Sequence, residues 1–597
     1  MADEEEIIMT PTKKGKTTHI RIERKKKLDM NGAEVEKRHY VAGGEHKGLV
    51  VNKSSQGDDE ENLGKPQVQL AFNCFMVDVK TKKNAVESRK LKFWFVDEAG
   101  YLDQMATAFE FFKVLLKPEN FPKDYVGFIK KCMKQMQNSR YNLIRKLNME
   151  IQVLGDDEVP MTPGGTKKST EMFAFGKVKD PRPIHEIVRE KLLSILESAY
   201  PNILTVEDLL RILKSDEATA EADDSLVHAQ LQELQDRELV KRLENGSFVR
   251  HVRDEKGGHT EVQVVKQMNQ VVTKNNQPTI AIITANYCEK VAVDAMMENK
   301  TTYVKYKTGG ESNAYTIGFI GSHRCVSTKL PMIGHDRSAM IAAGNTTTRL
   351  LGVFQAVEHV FVVGVGGGVP HFTDYHKHPR LGDVLISQCD SQGNIYYYCN
   401  GLYQEKDQSL HYKTKSFKPK DKSLQEVVRR IQETRERRAF SPWEKYITQG
   451  LEALSVQEAD YNRPAAATDR LTLTIGEGNV IEMQHPQHPE GLDERQGWPK
   501  ILYGAIGAGA KFAHDDDLRM DYAARNNLQC FDCQFDQVLE GIVGSVKESF
   551  MFIRGISDYS DGMQKKEWQP YSALAAAAVM KTIIKSFDGP YISEDEL

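Results

Sequence analysis

Hydrophobic positions in this chain fall into three kinds of run. The first is near-continuous: Thr279–Thr284 (TIAIIT), His359–Pro370 (HVFVVGVGGGVP), Tyr503–Gly509 (YGAIGAG) and Phe550–Ile553. Such runs predict strands of a parallel sheet buried on both faces. The second is spaced for a helix, over Leu102–Leu116, Tyr125–Met136 and Val291–Met297. The third mixes β-branched and aromatic residues ahead of a turn, as in VQLAFNCFMVDV from Val68 and LKFWFVDEAG from Leu91. These last strands and the first two helices predict a small α+β domain over 66–155, with no cluster that points to catalysis. Residues 156–180 are rich in Pro, Gly, Thr and Ser and read as a linker. Residues 1–65 run from acidic to basic and read as a solvated arm, with a nuclear address as the other reading.

Residues 181–255 are compact. Ile187, Leu192, Ile195 and Leu196 mark one helix. Thr205, with Asp208 three residues on, caps a second. Val227, Leu231 and Leu234 mark a third, and Asn245-Gly246 turns a hairpin. Three helices and a hairpin resemble a winged helix. In DNA-binding examples the third helix is basic or amide-rich. This one carries Asp224, Glu233 and Asp236 against Arg237, while the hairpin is basic at Lys241, Arg242, Arg250 and Arg253. A protein partner or a spacer role is favoured over nucleic acid.

The size, 597 residues, implies several domains, and the net charge of −4 excludes an electrostatic nucleic-acid binder as a whole. No apolar run approaches a membrane span. Eight cysteines in so long a chain imply reduced thiols in a cytoplasmic or nuclear protein. Cys530 and Cys533 lack the companions of a zinc site, and His485 with His488, flanked by prolines, reads as surface loop, so no metal is expected.

The chemistry concentrates in 277–590. The Phe550–Ile553 strand runs into Arg554, Gly555, Ile556, Ser557 and Asp558, which puts an acid just past a strand end, where open α/β sheets bind ligands. The glycines after Val365 permit close backbone approach. They are not GxGxxG, and no cofactor is indicated. Arg380–Ser387 reads RLGDVLIS. Together, R-G-I-S-D, GVGGGVP and RLGDVLIS resemble the purine nucleoside phosphorylase and nucleosidase superfamily, in its multidomain eukaryotic branch. The resemblance implies a three-layer α/β/α domain with a central mixed sheet, a purine nucleoside or nucleotide as ligand, and a homo-oligomer.

It also implies roles. Asp558 protonates the leaving base. Glu289 activates water; the family pattern T-A-L-P-x-E-x-x-A-V is kept at Thr284, Ala285, Glu289 and Val293, with Asn286-Tyr287 in place of Leu-Pro. The other reading of Glu289 is a first-turn acid favoured by the helix dipole. Gly366 and Gly367 admit a ribose or a water. Phe512 stacks on the purine, or is a core aromatic, and the backbone at Ala513 meets the base edge. Glu540 holds the ribose hydroxyls beside Leu539, with Asp536 as the alternative register. The Arg expected ahead of the Gly run in hexameric phosphorylases is absent from His359–Val363. Hydrolysis is therefore favoured over phosphorolysis, and a non-catalytic nucleoside sensor stays open.

Overall fold

The computed structural model describes residues 5–14, 17–26, 38–40, 49–52, 66–77, 84–116, 125–153, 182–216, 219–251, 261–265, 272, 276–305, 312–331, 337–372, 374–404, 410–438, 441–476, 479–486, 488, 497–509, 512, 515–533 and 535–587. They divide into two compact units. One takes residues 1–176, 370–378 and 470–493, the other residues 177–369, 379–469 and 494–597.

The first unit holds strands β1 (Glu5–Lys14), β2 (Thr17–Lys26), β3 (Arg38–Tyr40), β4 (Leu49–Asn52), β5 (Val68–Val77), β6 (Asn84–Phe95) and β7 (Ile144–Val153). With β19 (Leu471–Gly476) and β20 (Asn479–Met483) they make one sheet, ordered β19-β20-β5-β6-β7-β2-β1-β4-β3. Helices α1 (Tyr101–Leu116) and α2 (Tyr125–Met136) bring Phe111, Phe112, Phe128 and Met136 into its core. Phe112 meets Phe72 edge-on at 5.3 Å between ring centroids.

Two boundaries differ from expectation. Residues 5–14 and 17–26 are paired antiparallel strands, Glu5 opposite Lys26, rather than a solvated arm. The basic count of that segment masks a period-two pattern: Ile20 and Ile22 face inward, fully buried, between His19, Arg21 and Glu23. The span 277–590 also does not stay together, because 370–378 and 470–493 belong to the first unit.

The second unit begins with α3 (Ile184–Ala199), α4 (Val206–Lys214), α5 (Asp224–Asp236) and the hairpin β8 (Val240–Arg242)–β9 (Phe248–Arg250). Thr205 Oγ1 accepts from the Asp208 amide at 3.2 Å, the capping box read from the sequence. Val188, Leu192, Leu196, Leu209, Leu213, Val227, Leu231 and Leu234 form one apolar cluster.

A twelve-stranded mixed sheet follows. Its strands are β10 (Glu261–Val264), β11 (Ile280–Thr284), β12 (Glu298–Lys305), β13 (Asn313–Ile320), β14 (His323–Lys329), β15 (His359–Gly368), β16 (Val384–Ser387), β17 (Tyr396–Gln404), β18 (Leu410–Phe417), β21 (Ile501–Gly509), β22 (Leu528–Phe531) and β23 (Ser549–Asp558). The order is β10-β12-β13-β14-β11-β15-β23-β16-β21-β17-β18. β22 pairs with both β15 and β21, which closes β15, β23, β16, β21 and β22 into a ring. The apolar runs lie parallel at its centre: β11 on β15, and β15 on β23.

Helices α6 (Tyr287–Ala295), α7 (Arg337–Val353), α8 (Ser423–Arg438), α9 (Trp443–Leu454), α10 (Asp516–Asn526), α11 (Asp536–Gly544) and α12 (Gln569–Lys585) pack around the sheet. α12 is buried from Pro570 to Ile584, because its alanines let it lie close on β23 and β15. The architecture is the α/β class read from the sequence, with the three-helix-and-hairpin domain before it. Among the described residues, no helix is long and apolar enough to cross a membrane.

Candidate active site

Asp558 ends β23 and is 2% exposed. The loop beyond it folds back onto its carboxylate. Oδ1 accepts from the amides of Ser560 and Gly562, each at 2.8 Å, and Oδ2 accepts from the Gln564 amide at 2.7 Å. Burial raises its pKa above the usual carboxylate range, against the pull of these three amides. A carboxylate has about four acceptor positions. Three are used here, and the fourth, on Oδ2, is left for a proton or a ligand.

Glu289 lies in the first turn of α6 and is also 2% exposed. Oε2 accepts from the amides of Ala285 (2.7 Å) and Asn286 (2.8 Å). Oε1 accepts from the amide of Val365 on β15 at 2.8 Å, with Asn286 Nδ2 at 3.4 Å. The first-turn reading therefore holds in part, but this acid is buried rather than solvated. It also reaches the strand that carries the Gly run. A Cβ at Gly364 would lie 2.4 Å from Glu289 Cδ, so glycine is required there.

β15 brings the two acids to one strand. Gly364 is opposite Arg554, and Gly367 is opposite Asp558. At Gly366 and Gly367 the space has another occupant. A Cβ on Gly367 would meet Ser560 at 2.3 Å, and one on Gly562 would meet Gly366 Cα at 2.7 Å. The room assigned to a sugar at these two positions is taken by the loop that holds Asp558.

The remaining expected residues divide. Phe512 is buried and stacks among Tyr522, Phe531 and Tyr412, which is the core-aromatic alternative. It stays tied to the site, because Arg519 donates to both the Phe512 and Tyr559 carbonyls. Ala513 lies outside the described residues. Leu539 is fully buried in the main core. Glu540 points outward and pairs with Lys415, both side chains more than 40% exposed. Glu540 shares a helix face with Asp536 four residues earlier, but only Asp536, at the start of α11, is covered, while Val538, Leu539 and Ile542 form the buried face. Asp536 is the buried acid of this helix, and its Oδ1 has no hydrogen-bond partner among the described residues.

Two features escaped the sequence reading. Arg554, quoted only as part of a motif, is wholly buried and pairs with Asp532 at 2.7 Å, its guanidinium over the rings of Phe535 and Phe552. Burial pushes Asp532 up to about 7, against the opposing pull of Arg554, with Glu289 adding to the rise. An acid within the apolar stretch Cys530-Phe531-Asp532-Cys533 was the available signal. The second is Lys329 at the end of β14, 1% exposed, where burial pushes the ammonium down to about 7 against the pull of Glu289 and Glu197. No sequence signal marked it.

Against known proteins, residues 179–252 match the model of a winged helix-turn-helix domain. Residues 179–252 are a winged helix. The chain is 25% identical over 301 residues to a nucleotide-binding leucine-rich repeat (NLR)-like protein of Hyaloscypha variabilis; the match takes in 50% of this chain but spans only 28% of that protein's length. Among solved structures, a putative 5'-methylthioadenosine/S-adenosylhomocysteine nucleosidase of Borrelia burgdorferi bound to adenine aligns at 15% identity and TM-score 0.33, covering 51% of this chain and 99% of that one. Futalosine hydrolase of Helicobacter pylori aligns at 12% identity and TM-score 0.31, covering 51% and 97%. At such values these likenesses say nothing about substrate or mechanism. The winged helix itself leaves Asp224, His228, Gln232 and Asp236 of α5 exposed, an acidic and amide face rather than a basic one.

Proposed function

We propose that this protein is a purine nucleosidase that hydrolyses the N-glycosidic bond of a purine nucleoside or nucleotide. The observation that carries the reading is the pair of buried acids that meet one strand, Asp558 with one acceptor position left open and Glu289 with one long, displaceable bond from Asn286 Nδ2. Asp558 has its pKa raised by burial, which favours the protonated carboxyl. It donates that proton to the departing base, as general acids with raised pKa do. Glu289 is held on Oε1 by the Val365 amide and by a longer bond from Asn286 Nδ2 at 3.4 Å; an attacking water that displaces the Asn286 amide gives its proton to Oε1. The two acids take opposite roles, as in glycoside hydrolysis. Asp536, a buried acid whose Oδ2 accepts from Gln537 Nε2 and whose Oδ1 has no hydrogen-bond partner among the described residues, replaces Glu540 as the group for the sugar hydroxyls.

The test is a panel of adenosine, inosine, guanosine and their nucleotides with the full chain, with and without phosphate. Free base released without phosphate supports hydrolysis, whereas base released only with phosphate turns the reading to a phosphorylase. One observation favours a second reading, a non-catalytic nucleoside sensor: the Ser560–Gly562 loop takes the space at Gly366 and Gly367 that the sugar was expected to use during cleavage. Saturable binding of the intact nucleoside by calorimetry, with no base released, would select that sensor.

A further inference from the structure

The winged helix turns its wing inward. Arg250, the most basic-looking position of β9, is 3% exposed. Its Nε donates to Glu197 Oε1 at 3.0 Å, and Nη1 donates to the carbonyls of Leu239 and His251, both at 2.8 Å. Its guanidinium lies 4.7 Å over the ring of Tyr287, the first residue of α6. Tyr287 in turn donates to the His251 carbonyl at 3.4 Å and meets Tyr200 edge-on at 5.6 Å. Tyr200, Val249, Tyr287, Val304 and Ala314 form one buried apolar cluster across the two parts.

A second contact closes beside it. Lys329 Nζ donates to the carbonyls of Ser198 (2.8 Å), Tyr200 (3.1 Å) and Leu330 (2.8 Å). Ser198 and Tyr200 stand at the C-terminal end of α3, where a helix dipole favours a cation. Lys329 is paired in the sheet with Thr284, which leads directly into the amides that hold Glu289. The last residues of α3 and the wing thus grip the strand end and the helix start that place Glu289.

We propose that the partner of this winged helix is the chain's own nucleosidase-like part, and that Lys329 and Arg250 are positioning residues through which it braces the Glu289 turn. Arg250 used this way is not available to a DNA backbone, although Lys241 and Arg242 on the other strand of the wing stay exposed. The kinetic part of the inference rests on the nucleosidase reading; the structural part does not.

The experiment compares the full chain with its Lys329→Met, Arg250→Gln and Tyr287→Phe variants. Hydrogen exchange at the amides of Ala285, Asn286 and Val365, all of which donate to Glu289, is expected to quicken at least about tenfold in Lys329→Met and Arg250→Gln, and less in Tyr287→Phe. Base release should show kcat down by about 10- to 100-fold, the scale of a misplaced group, with KM within about twofold. If residues 184–251 lose protection while those three amides exchange as in the wild type, the brace is overturned. Duplex DNA binding by the full chain that weakens in Arg250→Gln also overturns it. Should Lys329→Met not fold, Tyr287→Phe removes a single hydroxyl and still decides. A wild-type chain that releases no base sinks the nucleosidase reading alone, since the exchange arm does not depend on turnover.

Discussion

The two sheets of this protein use charge in opposite ways. In the first unit, charged side chains pair with access to solvent: Lys146 beside Glu23 and Lys92 beside Glu150 are partly buried, and Arg140 beside Glu110 is exposed. In the second, the central strands β11, β15 and β23 are buried on both faces, five strands close into a ring, and the charges beside them are buried: Arg554 with Asp532, Glu289, Asp558. Exposed pairs are screened by solvent and contribute little. A buried charge must be held by designed partners, or its pKa shifts. The difference teaches where chemistry lies: among the described residues, the carboxyls of Asp383, Asp532 and Asp558, whose pKa burial raises, belong to the second unit.

The largest expected effect tests the acid. Asp558→Asn keeps acceptors for the Ser560 and Gly562 amides and turns an amide nitrogen toward the Gln564 amide. It should lower base release by about 10²–10⁴-fold, at a stability cost of about 1–3 kcal/mol for the lost bond. Retained activity, measured by release of free base, would remove the acid from the mechanism.

Next is the buried pair. Arg554→Met leaves Asp532 alone in the ring and should cost about 3–5 kcal/mol, read by denaturant unfolding. The matched change in the first unit, Glu110→Gln, breaks an exposed pair with Arg140 and should cost less than about 1 kcal/mol. Equal losses at the two positions would dissolve the contrast between the sheets.

A pH series sharpens it further. The Asp558 pKa is raised in the folded chain. Its linked stability is therefore fully present below the unfolded carboxylate value and declines as pH rises through the folded one. Activity that needs the protonated form falls over the same window. Asp558→Asn should lose this part of the slope in thermal unfolding between acidic and neutral pH; an unchanged slope would place the titration elsewhere. The smallest effect is at Glu540. Glu540→Gln breaks only an exposed pair with Lys415, so KM should stay within about twofold, while Asp536→Asn should raise it. The reverse result would restore the register first read from the sequence.

Much of this was open to inspection before folding. Strands β11, β15 and β23 were legible because burial on both faces leaves an unbroken apolar signature. The winged helix was legible because its caps and turns are local, with Thr205 and Asp208 within one helical turn and Asn245-Gly246 at the hairpin. Asp558 was legible because it follows directly on its strand. The ribose acid was not, since one turn of α11 separates the buried Asp536 from the exposed Glu540, and short-range pattern cannot choose between two acids four residues apart. The arm was misread because lysines and arginines outnumber the two isoleucines that decide its face.

The amino-acid order alone determined the element types, the winged helix and the two acids worth watching. Tertiary structure decided what surrounds them: which glycines face the Asp558 loop, that Arg554 meets Asp532 across twenty-two residues, and that the end of α3 grips a lysine while the wing covers Tyr287. Hydrogen-bonding and dipole preferences act over a few residues and are written in the local order. Desolvation depends on every neighbour at once, and those neighbours arrive from distant parts of the chain only when the ring closes.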